Sequence, residues 1–381
     1  HCFGNVHQFE LPDSELFPIE DIPVEVNSRK DVCDTIVHNI ISVLQKMADN
    51  KLENGHIIVF TSGNSRIKEI QSALSQKLIK IEKSTSNKIK LLRNIESSLQ
   101  SEKTFMKLLN KEVGNNKDSI YVAPIKFAGF VSQEQKNIGK NTIPKYPNVV
   151  KVIIATNAIE SSITIDGLAA VIDSGLFNRP SYNKDLGLTS ITEEPISVQS
   201  QRQRRGRVGI VRPGISVQIT VKNLPLIELL PPEIQTTDIS SNILSLRAIG
   251  IELENVTNLP DPVPKEDLDR YIEELYKIQA LDTKTKQVTE IGLNISKFES
   301  ITPFIASSIL RVSNEYYPDN TVAANALGAL TVQIFGTNEL VIDPMAKPLQ
   351  KNFCNDSDVV TLIKTLFELA KLKPKAWKDE A

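Results

Sequence analysis

Two segments of the 381-residue chain carry side chains suited to binding phosphate groups. The first, residues 155–167, reads Ala-Thr-Asn-Ala-Ile-Glu-Ser-Ser-Ile-Thr-Ile-Asp-Gly. The side chains of Thr156 and Asn157 can hydrogen-bond a phosphodiester, and the Asp166 carboxylate suits a ribose hydroxyl or a metal-associated water. An ordinary alternative stays open, in which Thr156 only caps the start of a polar helix.

The second segment, residues 201–214, concentrates positive charge. It reads Gln-Arg-Gln-Arg-Arg-Gly-Arg-Val-Gly-Ile-Val-Arg-Pro-Gly, with five arginines and no acidic residue. Arginine presents a planar fork of donors to phosphate oxygens and stays charged. Gly206 and Gly209 are three residues apart and permit a close backbone approach on one face. The alternative is a solvated charged face, which would need neither the glycines nor Gln203.

Composition excludes several other classes of protein. Lys plus Arg (44) nearly balance Asp plus Glu (46), and the formal net charge of −2 argues against a histone-like protein or an acidic tail. The cysteines and histidines show no C-x-x-C or H-x-x-x-H spacing, so neither a zinc site nor a disulfide scaffold is predicted. Because no apolar run reaches the length of a membrane span, we expect a soluble intracellular protein without a membrane partner, in the nucleus or the cytoplasm.

The elements that must position these segments follow from the hydrophobic pattern. Residues 56–60, 149–155 and 168–172 are apolar throughout and predict buried strands. Apolar residues at helical spacing over 31–47 and from Ile67 onward predict helices. Strands that alternate with helices indicate a parallel α/β sheet, which binds ligands at the carboxyl ends of its strands.

Residues 78–118 differ from their surroundings and are rich in Lys, Ser and Asn. Leu91, Leu92, Ile95 and Leu99 follow helical spacing. We therefore expect an insertion on a loop, partly helical and mobile.

From about residue 223 the pattern becomes that of small helices. An amphipathic helix is predicted over 267–281, followed by a turn and short strand over 284–289 and a helix from about Leu293. Small helices with a short hairpin suggest a winged-helix module, and beyond Thr302 the chain is mostly helical.

Taken together, these segments resemble a known family. Residues 57–63, 155–167 and 201–214 are similar to motifs IV, V and VI of superfamily 2 helicases. The resemblance is most specific to the DEAH-box RNA helicases, whose motif V reads A-T-N-x-x-E-[ST]-S-x-T-I-D-G and motif VI Q-R-x-G-R-x-G-R. Shorter similarities to that family lie at residues 171–175, 195–200, 232–235, 244–250, 261–264 and 353–358. A viral superfamily 2 member is an alternative, since residues 203–209 also resemble flaviviral and poxviral motif VI, but the winged-helix similarity favours DEAH.

The resemblance implies an α/β fold with a RecA-like parallel sheet domain, then a winged-helix domain, then the start of a helical, ratchet-like domain. The implied boundaries are 1–25 for a linker from an absent first RecA-like domain, 26–222 for the second RecA-like domain with its insertion at about 78–118, 223–300 for the winged-helix domain and 301–381 for the helical domain. Residues 178–192 would correspond to the strand-separating β-hairpin of the family.

It also implies roles for individual residues. Gln203 and Arg207 would be catalytic, with Gln203 near the γ-phosphate or the attacking water and Arg207 as an arginine finger. Nucleotide contacts are implied for Asp166, Thr164, Gln203, Arg204 and Arg207. Contacts to the RNA backbone are implied for Thr61, Ser62, Gly63, Thr156 and Asn157. Backbone contacts position RNA without reading its bases, so we expect little sequence specificity.

The cofactor implied is ATP with Mg²⁺, although the chain has no G-x-x-x-x-G-K-[ST] and no D-E-x-H tetrapeptide. We therefore expect the Mg²⁺ ligands in the absent first RecA-like domain, no metal ligands in this chain and no ATP hydrolysis by the chain alone. The full-length protein is expected to couple ATP hydrolysis to translocation on RNA or its remodelling. The expected partners are RNA, the first RecA-like domain and, as a further candidate, a protein activator.

One departure from the motif leaves a second function open. Ile210 stands where the family has a second arginine finger, and losing a finger lowers turnover by several orders of magnitude. Arg212 could substitute, but on a helix a residue two positions on faces roughly the opposite side. The alternative to an active motor is therefore a non-catalytic, helicase-derived RNA-binding or scaffolding protein.

Overall fold

The computed structural model describes residues 17–83, 88–116, 118–128, 131–160, 164–183, 188–251, 261–298 and 301–315. The described residues up to Ser181, together with Ser190–Leu230, form one compact unit. Tyr182–Thr189 and the described residues from Pro231 onward form a second unit. Most of the helical domain expected over 301–381 lies outside the described residues, and so does the similarity at 353–358.

The first unit is built on a seven-stranded sheet in which all neighbouring strands are parallel. Its strands are β1 (Ile19–Val26), β2 (His56–Phe60), β3 (Ile89–Leu91), β4 (Ile120–Phe127), β5 (Val149–Ala155), β6 (Leu168–Asp173) and β9 (Gly214–Val221). Across the sheet the order is β1-β9-β6-β2-β5-β4-β3. Between β6 and β9 in sequence, β7 (Leu176–Asn183) and β8 (Leu188–Pro195) form a separate two-stranded sheet, called here the hairpin. The predicted parallel α/β sheet is confirmed.

The central strands are buried along their whole length, which explains their continuous apolar sequences. Every residue of β2 and of β5 is buried, since helices and loops cover both faces of the sheet. Phe60, the last residue of β2, pairs with Ala155, the last residue of β5. The chain segments that follow these two strands therefore start side by side at the carboxyl edge of the sheet.

Helices cover both faces of this sheet. The helices of the first unit are α1 (Asp31–Ala48), α2 (Asn64–Glu82), α3 (Ile95–Ser98), α4 (Glu102–Glu112), α5 (Gln133–Lys140) and α6 (Val198–Arg205), with a 3₁₀ turn at Asn157–Ile159. The buried stripe of α1, which includes Ile36 and Ile40, packs in one cluster with Ile57 and Val59 of β2. Ile58 and Phe60 of β2 face the other side of the sheet, in a cluster that also holds Ile159, Ile165 and Val208. That second face carries the residues that follow β5 and α6.

The expected linker over residues 1–25 is wrong for residues 19–25, which belong to β1. This strand pairs in parallel with β9, from Ile19 opposite Gly214 to Val26 opposite Val221. Ile22 and Val24 are half-buried and alternate with exposed residues, so one side of the strand covers the core. The prolines and acidic residues that suggested a loop are compatible with a strand at the edge of a sheet. Residues 1–16 lie outside the described residues.

The expected loop at residues 78–118 is also wrong where the structure describes it. The first of these residues complete α2, and β3 then pairs in parallel with β4 as the opposite edge of the sheet. Leu92, Leu99, Phe105 and Leu109 are buried in a cluster against β4. The segment is partly helical as predicted, but its apolar side chains fold into the unit because they cover the outer part of the sheet.

The second unit has its own core. Its described helices are α7 (Ser240–Ala248), α8 (Lys265–Lys277), α9 (Glu290–Ile295) and α10 (Pro303–Glu315), with a 3₁₀ turn at Glu233–Gln235. Leu268 and Leu275 of α8 are buried with Ile243 and Ile295, so the predicted amphipathic helix is present. Leu281 and Val288 form an antiparallel bridge across a short turn. The winged-helix assignment stays a prediction. In the part of the chain that the structure describes, each helix is too short or too polar to cross a membrane.

A buried histidine makes the first unit sensitive to acid. His56 is 5% exposed at the start of β2, and its Nδ1 accepts a hydrogen bond from the Lys151 N–H at 3.4 Å. Burial, and then the charges of Lys151 and Arg212, lower the pKa of His56 to about 3. Between pH 6.5 and 3 the unfolded chain therefore binds a proton that the folded chain does not, so stability falls as the pH falls.

We predict that the unfolding free energy drops by about 1.4 kcal/mol for each pH unit below about 6. Urea denaturation at several pH values between 7 and 5 measures this slope, in a window above the range where most carboxylates titrate. His56→Gln should flatten the slope, whereas His38→Gln, at an exposed position of α1, should leave it unchanged. An unchanged slope in His56→Gln would contradict this assignment.

Candidate functional site

Two short segments meet where β2 and β5 end. The loop Thr61-Ser62-Gly63, called here the β2 loop, follows β2, and Thr156 and Asn157 follow β5. The Thr61 N–H donates to the carbonyl of Ala155 at 2.8 Å. The structure thus brings the five residues predicted to bind RNA to one edge of the sheet. Their accessibility differs, because Asn157 is exposed and Thr156 is half-buried, whereas the β2 loop is buried.

The base of the hairpin covers the β2 loop. The Ser62 hydroxyl donates to the carboxylate of Glu193 on β8. Gly63 lies so close to Asn178 of β7 that a Cβ atom on Gly63 would collide with the Asn178 amide. The sequence resemblance placed the β2 loop on an RNA-binding surface, but here the hairpin bonds the Ser62 side chain and packs against Gly63.

Motif V crosses one face of the sheet, from the carboxyl end of β5 to the amino end of β6. Thr164 and Asp166, both predicted to contact nucleotide, are exposed near the end of motif V, just before the amino end of β6. The Asp166 N–H donates to the Lys140 carbonyl at the end of α5, at 2.9 Å. Motif V therefore carries residues to both edges of the sheet, with Thr156 and Asn157 at one and Asp166 at the other.

Arg204 joins motif VI to motif V. Its side chain is fully buried, with Nε 2.8 Å from a carboxylate oxygen of Glu160 in motif V and Nη1 2.7 Å from Asp173 at the end of β6. The guanidinium carbon lies 4.9 Å from the centre of the Phe60 ring. Burial lowers the pKa of Arg204, but the charges of Asp173 and Glu160 and their hydrogen bonds outweigh it and raise the pKa, so the group stays charged. A nucleotide contact for Arg204 stays a prediction; the structure shows a bridge within the protein.

The neighbouring arginines are also bound by the fold. Arg205 forms a two-point pair with Asp21 of β1, at 2.7 and 2.8 Å, and lowers the pKa of that carboxyl through its hydrogen bonds. Arg207 donates to the main-chain carbonyl of Glu160 and is half-buried. Gln203 is exposed on α6. Much of the positive charge of this segment is therefore engaged inside the protein, which sequence alone did not reveal.

The region around Ile210 corrects one argument about the missing arginine finger. Because α6 ends at Arg205, helical spacing does not govern the relation between Ile210 and Arg212. Arg212 instead donates to the Asn54 carbonyl at 2.6 Å and lies 3.8 Å from a carboxylate oxygen of Glu53. Ile210 is 54% exposed, so an apolar side chain faces solvent where the motif would place the second finger.

Two of the residues that organise this site were missed from the sequence. Glu160 and Asp173 are acidic residues within otherwise apolar or small stretches, and that isolation was a usable signal for buried partners of an arginine. Glu193 and Arg66 gave no such signal, because their pairing depends on how the hairpin packs. Among the described residues there is no group of three or more His, Cys, Asp or Glu side chains that could hold a metal ion.

No protein-family model matches the chain. The chain is 32% identical over 192 residues to the pre-mRNA-splicing factor ATP-dependent RNA helicase Prp22 of Schizosaccharomyces pombe. The chain is therefore homologous to part of an ATP-dependent RNA helicase. The match covers 50% of this chain and 16% of Prp22, so the chain spans only a small part of that relative.

Solved structures show the same fold. The Escherichia coli DEAH/RHA helicase HrpB matches with a TM-score of 0.64 at 17% identity, over 95% of this chain and 39% of HrpB. A second HrpB structure, described as a DExH-box NTPase, matches with a TM-score of 0.58 at 17% identity, over 94% of this chain and 37% of HrpB. The seven-stranded parallel sheet thus has the RecA-like fold that the sequence resemblance implied.

We predict that Arg204 is far more important for stability than its neighbour Arg205. Arg204→Met leaves the buried Asp173 and the half-buried Glu160 without their partner and should cost on the order of 3–5 kcal/mol. Arg205→Met breaks a pair whose side chains are 39% and 41% exposed and should cost less than about 1 kcal/mol. Urea denaturation of both variants measures the difference. Equal losses would show that the Arg204 bridge does not hold the site together.

Proposed function

We propose that this chain is the C-terminal portion of an ATP-dependent RNA helicase that couples ATP hydrolysis to translocation on RNA or its remodelling. In this proposal residues 26–222, extended by β1, form the second RecA-like domain. Residues 223–300 form a winged-helix domain and residues 301–381 begin a helical, ratchet-like domain. The splicing role named for Prp22 makes the nucleus the proposed location.

The observation that carries the proposal is the Arg204 bridge. It fixes α6 against motif V, so that Gln203 and Arg207 flank a buried anchor on the same segment. Phosphoryl transfer depends on positioned charge rather than on covalent catalysis. A backbone that is held rigidly by Arg204 would keep the Gln203 and Arg207 side chains in position for it. The homology to Prp22 supports the same function.

The proposed nucleotide site uses the exposed side chains of Thr164, Asp166 and Gln203 together with Arg207. These residues suit one side of ATP: Asp166 accepts from a ribose hydroxyl, Gln203 orients the attacking water and Arg207 stabilises charge on the γ-phosphate. ATP with Mg²⁺ supplies the phosphoanhydride bond that is hydrolysed. The Mg²⁺ ligands are proposed for the first RecA-like domain, because the phosphate-loop and D-E-x-H motifs are absent from this sequence.

RNA is the proposed polymer substrate, held at the carboxyl edge of the sheet. Thr156 and Asn157 lie there, half-buried and exposed, as donors for phosphate oxygens. Contacts of this kind fix the register of the strand and read no bases, so we propose binding with little sequence specificity.

We predict that Arg207→Ala lowers RNA-stimulated ATP turnover of the full-length protein by about a thousandfold, since an arginine finger contributes that much. Lys46→Ala, which removes a surface charge of α1 paired with Glu20, should leave turnover within about twofold of wild type. A steady-state phosphate-release assay with and without RNA measures both. Turnover that survives in Arg207→Ala would remove this residue from the site.

A second candidate function is a non-catalytic RNA-binding or scaffolding protein, and the exposed Ile210 favours it. In that case the natural full-length protein should show no RNA-stimulated turnover, and Ile210→Arg should raise it by restoring a charged group. Robust RNA-stimulated turnover of the natural sequence would end the scaffold interpretation.

A further inference from the structure

Glu193 occupies a set of donors that suits an anion. One oxygen of its carboxylate accepts from the Ser62 hydroxyl and from Arg66 Nε at 3.2 Å. The other oxygen accepts from Arg66 Nη2 at 3.4 Å. A hydroxyl donor with an arginine fork is also the donor set with which proteins bind phosphate oxygens.

Two arginines, Arg66 and Arg29, act on this carboxylate. Burial raises the pKa of Glu193, but hydrogen bonds from Arg66 and Ser62 and the charges of Arg66 and Arg29 outweigh it, so the pKa is lowered. Arg66 Nη2 also lies 3.4 Å from the Arg29 carbonyl, and Nη1 donates to Glu69 at 2.9 Å. Arg66 is thus held in place on the first turn of α2, beside the β2 loop.

The carboxylate comes from the hairpin, not from the sheet that carries its donors. Glu193 lies on β8, 131 residues after Ser62 in sequence, and the two side chains are held together only by packing and these hydrogen bonds. The Arg66 and Glu193 side chains retain 23% and 19% exposure, so solvent reaches their contact. An anion arriving from solvent can therefore compete for the Arg66 fork.

We propose that Ser62, Arg66 and the β2 loop form an RNA-phosphate site that Glu193 occupies in this structure. The inference rests on the proposed RNA-binding function and adds to it a ligand, Arg66, and a competing group, Glu193. When RNA binds, a phosphate takes the donors of Ser62 and Arg66, and the Glu193 carboxylate withdraws. The site is closed in the absence of RNA because phosphate and carboxylate need the same donors.

The chain offers a matched control one residue away. Glu194 carries the same charge on the same strand, but its recorded partners lie inside the hairpin, namely Arg179 at 3.1 Å and the Thr192 hydroxyl at 3.0 Å. Glu193→Gln and Glu194→Gln therefore change the net charge equally, and only the first opens the proposed site.

The test is the affinity of the protein for a fluorescein-labelled oligouridine of about 12 nucleotides, followed by anisotropy over a range of salt concentrations. Glu193→Gln should bind about fivefold more tightly than wild type, with a salt slope steeper by roughly 0.7, the increment for one added phosphate contact. Glu194→Gln should stay within about twofold of wild type, as expected for the loss of one half-buried ion pair that lies apart from the proposed donors. Equal gains in the two variants would overturn the proposal.

A double variant separates competition from simple loss of charge. In an Arg66→Gln background the gain from Glu193→Gln should disappear, because the ligand that Glu193 masks is gone. A gain that persists in this background would also overturn the proposal. If Glu193→Gln fails to fold, Glu193→Asp, whose shorter side chain withdraws the carboxylate from Ser62, should give a smaller gain of the same kind. Failure of the wild-type protein to bind RNA would instead contradict the proposed function itself.

Discussion

One buried guanidinium holds the functional face of the first unit together. Removing a charged group from water costs several kcal/mol, and Arg204 offsets that cost only because two carboxylates and the face of Phe60 surround it. Its partners come from the ends of three neighbouring strands, since Phe60 ends β2, Asp173 ends β6 and Glu160 lies just beyond β5. The position of α6 is therefore fixed against the centre of the sheet. The positions of Gln203 on this helix and of Arg207 just after it are fixed with it.

Other arginines of motif VI are also bound to groups of the protein itself. Arg205 is paired with Asp21, and Arg212 is tied to the loop before β2. The segment that looked most basic in the sequence therefore presents much less free positive charge than its composition suggests.

Sequence predicted the parts of the fold that are buried on all sides. The strands at 149–155 and 168–173 were recognisable because burial on both faces demands apolar residues at every position. The edge strands β1 and β3 were missed, since a strand covered on one side keeps polar residues and β3 has only three residues between lysine-rich segments. Periodicity carries little information about elements of that kind.

In the candidate site, too, the features set by the flanking strands could be predicted, and those set by tertiary packing could not. The location of Thr156, Asn157 and Asp166 at the two edges of the sheet could be predicted, because it follows from the strands that flank them. The burial of Ser62 under Glu193 could not, since it depends on which strands become neighbours and on how the hairpin folds back. Motifs name the residues of a site, but the tertiary pairing of charges decides which of them face a ligand.

The order of the strands also bears on how the chain is made. β1 lies at the edge of the sheet and its neighbour there is β9, so the first described strand of this sheet pairs with the last described one. Their pairing closes a loop of nearly 200 residues. At ribosomal speeds of 5–20 residues per second, β1 remains unpaired for roughly 10–40 s after it leaves the ribosome. Its acidic residues and Pro23, features that discourage association with foreign strands, suit a segment that must stay solvated during that interval.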